Sequence, residues 1–129
     1  MIYNNDKYVV VYFEDPYTKR IPVQEYVNGL PKKERAKIFK YIEYLRQNNG
    51  VLGEPYTRHI KDKIRELRVD FAANHHRVFF FTFIGKNIIL LHAFLKHTEK
   101  TPESEIVKAL NNYYKVIHNR NAYEKQTGN

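Results

Sequence analysis

Between residues 64 and 96 the chain carries three β-prone runs in close succession: IRELRVDF (64 to 71), HHRVFFFTFI (75 to 84) and IILLHAFLK (88 to 96). The first alternates apolar and polar residues, and the other two are nearly continuous and apolar, with β-branched and aromatic side chains throughout. The short segments between them, FAAN and Gly85-Lys86-Asn87, are turns, so this stretch predicts an antiparallel meander.

The flanking sequence supplies the layers that cover such a sheet. YVVVYF (8 to 13) reads as a first strand ending at Asp15-Pro16. Val23, Tyr26, Val27 and Leu30 have helical spacing, and Gly29 and Pro31 keep that helix short. A second helix follows with Pro31 at its first position, Glu34 in its first turn, an Ile38, Phe39, Ile42, Leu45 stripe, and Gly50 at its end. Its other face carries Lys32, Lys33, Arg35, Lys37 and Lys40, a solvated face or an RNA contact. Residues 50 to 62 read as the longest loop. Thr101-Pro102-Glu103 predicts a capped helix start, followed by an Ile106, Ala109, Leu110, Tyr113, Ile117 stripe. The expectation is a single α+β domain over residues 1–118 in the order β-α-α-β-β-β-α, with a frayed tail over 119–129.

Composition narrows the chemistry. The 22 Lys and Arg against 14 Asp and Glu give a net charge of +8, a field that favours polyanionic partners. With no cysteine, disulfides, thiolate metal sites and thiol nucleophiles are excluded. The start, MIYNNDKYVVVYFEDP, lacks a signal-peptide plan, and no stretch approaches membrane-spanning length, so a soluble cytoplasmic protein without a membrane partner is expected.

If FAAN closes a tight hairpin, residues 68 and 77 lie opposite one another. Leu67, Val69 and Phe71 then share one face with Val78, Phe80 and Ile84, and the other face gathers Glu66, Arg68 and Asp70 with His75 and Arg77. Two guanidiniums side by side require something negative between them. Glu66 or Asp70 would do; so would a phosphate, whose oxygens match the guanidinium fork. The register of the last strand stays open. A two-residue Gly85-Lys86 turn sets His92 and Lys96 on the face of Arg77, and a three-residue turn through Asn87 sets His97 there. Five of the six histidines fall between positions 59 and 97, yet no HExxH spacing or carboxylate cluster accompanies them, so no metal and no cofactor are expected. Cations, imidazoles and abundant Tyr and Phe suit RNA.

Residues 60 to 110, IKDKIRELRVDFAANHHRVFFFTFIGKNIILLHAFLKHTEKTPESEIVKAL, resemble the RelE/ParE toxin superfamily, in particular its phage-derived HigB-like branch. The resemblance lies in the combination of an ELR strand, a strand opening with Arg77, the LLHAF strand, and K-x-x-x-K-T-P leading into EIxxAL. It implies a small RelE-like α+β domain with a twisted antiparallel sheet. It also implies a type II toxin that cuts messenger RNA on the ribosome without metal and is silenced by an antitoxin, often a helix-turn-helix protein that would link it indirectly to DNA. Carried residue by residue, the resemblance assigns Arg77 to the transition-state phosphate, Arg68 to the same or a neighbouring phosphate, His97 to the general acid, and Lys96 to added charge. Lys61 and Lys63 would grip RNA, one of them as a possible base if neighbouring cations lowered its pKa, and His75 and His92 complete the RNA-binding set. Val107 stands where relatives place a tyrosine, with Tyr113 and Tyr114 two turns later, and Glu66 stands where some relatives have lysine. The alternatives are a ParE-type toxin that binds DNA gyrase and a basic RNA-binding module without turnover.

Overall fold

A computed structural model describes residues 7–83 and 85–124. The elements are β1 (Val9–Tyr12), α1 (Pro22–Asn28), α2 (Lys32–Gln47), β2 (Thr57–Lys61), β3 (Ile64–Phe71), β4 (Asn74–Phe83), β5 (Asn87–Lys96), α3 (Glu103–His118) and α4 (Arg120–Glu124). The strands form one sheet in the order β1-β5-β4-β3-β2. β1 runs parallel to β5 and the other neighbours are antiparallel, so the sheet is mixed, within a RelE-like arrangement of elements.

Apolar side chains leave both faces of the central strands, and a helical layer covers each. Leu67, Val69, Val78, Phe80 and Leu90 pack with Val23 and Val27 of α1 and Ile38, Ile42 and Leu45 of α2. On the reverse face Ile64, Phe79, Phe81, Phe83, Ile89 and Leu91 pack with Ala109 and Val116 of α3 and Tyr123 of α4. Each fully buried Phe or Leu contributes about 1.5–3 kcal/mol through removal from water, which is why β4 and β5 read as nearly unbroken apolar runs. Gly50, at φ +77°, ends the turn after α2; a Cβ there would lie 2.7 Å from the Thr82 hydroxyl oxygen.

The hairpin of β3 and β4 has the expected register, with Arg68 opposite Arg77, and Leu67, Val69, Val78 and Phe80 share a face. Ile84, assigned to the same face from sequence, lies outside the described residues. Three expectations need correction. The segment read as a loop contains β2, an edge strand whose TRHIK sequence has no apolar alternation because most of its side chains are exposed on both faces. Residues 120–124, expected to fray, form α4, anchored by buried Tyr123; 125–129 lie outside the described residues. Thr101 does not cap α3: Pro102 is the N-cap residue, without a side-chain cap, and the Thr101 hydroxyl donates to Glu66 Oε2 at 3.0 Å.

Candidate functional site

The sheet face that carries α3 is covered at its Phe79–Phe83 end and open at the opposite end, where β3 turns into β4. A hollow of about 350 Å³ lies there, lined by Arg68, Asp70, His75, Arg77, Lys96, His97, Thr98 and Glu99. Period-2 alternation sets Glu66, Arg68 and Asp70 of β3 on this face with His75 and Arg77 of β4. The third strand arrives by a device absent from both turn models. Phe83 pairs with Asn87, and counting from that pair would place Arg77 opposite Ala93. A bulge intervenes: Phe80 faces Leu90 but Phe79 faces His92, so Leu91 is the extra residue and Arg77 comes opposite Phe94, His75 opposite Lys96. The bulge, and not the turn length alone, brings Lys96 to the face of Arg77.

Arg77 and Glu66 are buried. Arg77 Nη1 donates to Asp70 Oδ1 at 2.7 Å and to the His76 carbonyl at 3.0 Å. The Nε atoms of Arg68 and Arg77 both stand 3.9 Å from Glu66 Oε1, ion-paired but too distant for a hydrogen bond, and neither Nε has another hydrogen-bond partner. Asp70 also meets His75 Nδ1 at 3.0 Å. Burial opposes ionisation of Asp70, yet hydrogen bonds from Arg77 and His75 and their charges hold its carboxyl below the usual carboxylate range. Lys96 is the electrostatic counterpart. Burial lowers its pKa and the charges of Arg77, Arg68 and Arg58 lower it further, against the opposing pull of Glu66. A phosphate in this hollow would meet guanidiniums pre-set on two strands, whose Nε atoms are turned to buried Glu66.

The predicted residues divide accordingly. Arg68, Arg77, Lys96, His97 and His75 line one hollow. His92 does not join them: Nε2 bonds Glu105 Oε1 of α3 at 2.6 Å, and the ring lines a separate cavity near Lys108 and Asn112. Burial depresses its pKa despite Glu105, because desolvation penalises the charged ring more than the carboxylate favours it. Lys61 and Lys63 are exposed at the β2–β3 turn, where Lys61 pairs with Ile64. Ile64 is four residues from Arg68, roughly 13 Å along the strand, so neither lysine lines the hollow; the amine that does is Lys96. Of the tyrosine candidates, Tyr113 packs edge-on against Phe81 at 4.7 Å, on the core side of α3, and neither Tyr114 nor Val107 lines the hollow.

Sequence reasoning missed Arg58, opposite Glu66 in the unrecognised β2, and Thr98 and Glu99 of the rim. A basic residue beside a β-branched one in TRHIK was the signal for the first; the rim residues left none. Among the described residues no group of three His, Cys, Asp or Glu stands close enough to hold a metal ion. Nor, among the described residues, is any helix long and apolar enough to cross a membrane.

Residues 25–114 match the family described as Phage derived protein Gp49-like. The chain belongs to that Gp49-like family. The matched span runs from α1 through most of α3 and includes every residue of the hollow. The Gp49-like chain is also 37% identical over 81 residues to "Probable endoribonuclease HigB1" from two strains of Mycobacterium tuberculosis, an alignment covering 63% of this chain and 62% of each relative.

Proposed function

We propose that this Gp49-like protein is a RelE/ParE-superfamily toxin of a type II toxin–antitoxin pair, cutting messenger RNA on the ribosome without a metal, and neutralised by a helix-turn-helix antitoxin. The observation that carries the reading is the pair of guanidiniums, Arg68 and Arg77, set opposite each other on adjacent strands and lining an open hollow with Lys96. Similarity to a protein named as a probable endoribonuclease supports it.

RNA cleavage of this kind removes a proton from the ribose 2′-OH, whose oxygen attacks the adjacent phosphorus; the bond to the 5′ oxygen breaks, and that oxygen takes up a proton. The products are a 2′,3′-cyclic phosphate and a 5′-hydroxyl. Arg77, fixed by Asp70 and the His76 carbonyl, neutralises the pentacoordinate phosphate, and Arg68 and Lys96 add charge around it. Imidazole exchanges protons near neutral pH, and two rings border the hollow. His75, oriented by Asp70, takes the 2′-OH proton, and His97 protonates the departing oxygen. A second reading, RNA binding without turnover, is favoured by one observation: buried Glu66 already supplies the guanidiniums with an anion.

The test is a primer-extension map of cellular messenger RNA after brief induction. Site-specific cuts should appear and fall about 10²–10³-fold in Arg77→Gln, and protein stripped of metal with a chelator and then desalted should cut equally when added to ribosomes carrying messenger RNA. Intact transcripts with a DNA-damage response would replace this reading with gyrase binding, and bound but uncut RNA would replace it with the non-cleaving module.

A further inference from the structure

On the side of the sheet opposite the hollow, α2 and the chain just before β2 carry exposed aromatic and cationic side chains. On α2, Lys33, Lys37, Lys40, Tyr41 and Tyr44 fall within an arc of about 100° at 3.6 residues per turn. Lys37 Nζ lies 5.6 Å from the Tyr41 ring centre and Lys40 Nζ 5.8 Å from that of Tyr44. Tyr41 meets Tyr44 and, across the β2 edge, Tyr56, each with ring centres 5.8 Å apart. Tyr44 is 36% and Tyr56 41% exposed. The acids of α2 lie elsewhere: Glu34 is buried against His76, and Glu43 pairs with Arg46.

Two contacts join this surface to the hollow. Lys37 donates to the backbone carbonyl of Asp70, and the Tyr56 carbonyl accepts the Arg68 amide at 2.9 Å. Both Asp70 and Arg68 line the hollow. Tyr56 and Lys37 of this surface are thus hydrogen-bonded to the backbone of residues that line the hollow. Solvated lysines alone would not need exposed rings between them; unpaired bases use rings and phosphates use the amines.

We infer that Tyr56, Tyr44 and Tyr41, with Lys37 and Lys40, form a stacking track for single-stranded RNA that leads away from the hollow around the β2 edge. The inference rests on the RNA reading above and extends it: nucleotides flanking the reacting phosphate are held by stacking, without regard to sequence. Tyr44 and Tyr56 offer the accessible ring faces, and Tyr41, packed toward the core, holds them in place.

The test uses the full chain and fluorescence anisotropy with 2′-O-methyl oligoadenylates, which lack the attacking hydroxyl and stay intact. Three probes are compared: a 12-mer, a 4-mer, and a 12-mer with abasic sites outside its central four positions. The wild type should bind the 12-mer more tightly than the other two. Tyr44→Leu/Tyr56→Leu should weaken 12-mer binding about tenfold or more, since each base–ring stack contributes about 1–3 kcal/mol, and should leave the 4-mer and abasic probes unchanged. That pattern should persist at raised salt, where phosphate contacts weaken. Tyr44→Ser alone, a single change at a partly exposed ring, should give part of the loss if the double variant folds poorly. If Arg77→Gln weakens 12-mer binding but the tyrosine variants do not, the track is refuted and the hollow survives. If the wild type binds no probe, the track is refuted, and the cleavage reading is decided separately by the primer-extension map. If the tyrosine variants retain RNA binding but release a co-expressed antitoxin, the surface is a protein interface and the track is refuted.

Discussion

Glu66 is the internal rival of any phosphate in the hollow, and Glu66→Gln separates its two roles. The carboxylate is buried, with Arg68 and Arg77 Nε each 3.9 Å away and the Thr101 hydroxyl donating at 3.0 Å. At that separation and an effective dielectric constant near 20, each pair is worth about 4 kcal/mol of Coulomb attraction before desolvation is subtracted. Removing one partner of a buried pair costs about 3–5 kcal/mol because the remaining charges stay buried. Glutamine keeps the shape and an acceptor for Thr101, so a loss near the lower end, about 3 kcal/mol, is expected. For a domain of this size that corresponds to roughly 10–15 °C in melting temperature. The freed guanidiniums should then bind anions better. Inorganic phosphate at tenfold its dissociation constant adds about 1.4 kcal/mol, so a given phosphate concentration should raise the melting temperature of Glu66→Gln more than that of the wild type. Differential scanning fluorimetry with and without phosphate reads both effects. A variant that melts with the wild type would show that Glu66 does not hold the guanidiniums, and equal phosphate shifts in the two proteins would show that it does not compete for the anion.

Two further predictions concern groups outside the hollow. His76, buried beneath α1 and α2, meets Tyr26 Oη at 2.7 Å through Nδ1 and Glu34 Oε1 at 2.7 Å through Nε2; His76→Leu should cost about 2–4 kcal/mol in urea unfolding, because hydroxyl and carboxylate lose their partner. A loss below about 1 kcal/mol would mean that water replaces the ring without penalty. Asp15 is held down to about 2, first by the Lys115 hydrogen bond and then by the backbone amides of Thr18 and Tyr17. Its folded pKa lies below its ordinary value of 3.8, so its contribution is present above pH 3.8 and lost as pH falls toward 2. Lys115→Met should raise the Asp15 pKa in a carboxyl NMR titration and move acid unfolding to higher pH; an unchanged titration would exclude Lys115 as the cause.

Arg68 and Arg77 could be paired from sequence because one face of β3 is apolar at every second residue, and a slip of one position would have exposed all of Leu67, Val69 and Val78. The layers were legible for the same reason: helical periodicity in α1, α2 and α3 marks the side that must be buried. Those patterns record burial, and burial is written in residue type. The position of Lys96 is not, since β5 is apolar on both faces and its sequence permits either register. The bulge at Leu91 made that choice. Likewise, His92 and Lys96 look equivalent along the strand, yet α3 brings Glu105 to the first and leaves the second among guanidiniums. Sequence determined which faces are apolar and that two arginines lie side by side. Only the tertiary structure decided which cations join them, because that depends on one extra residue in a strand and on which helix lies above each position.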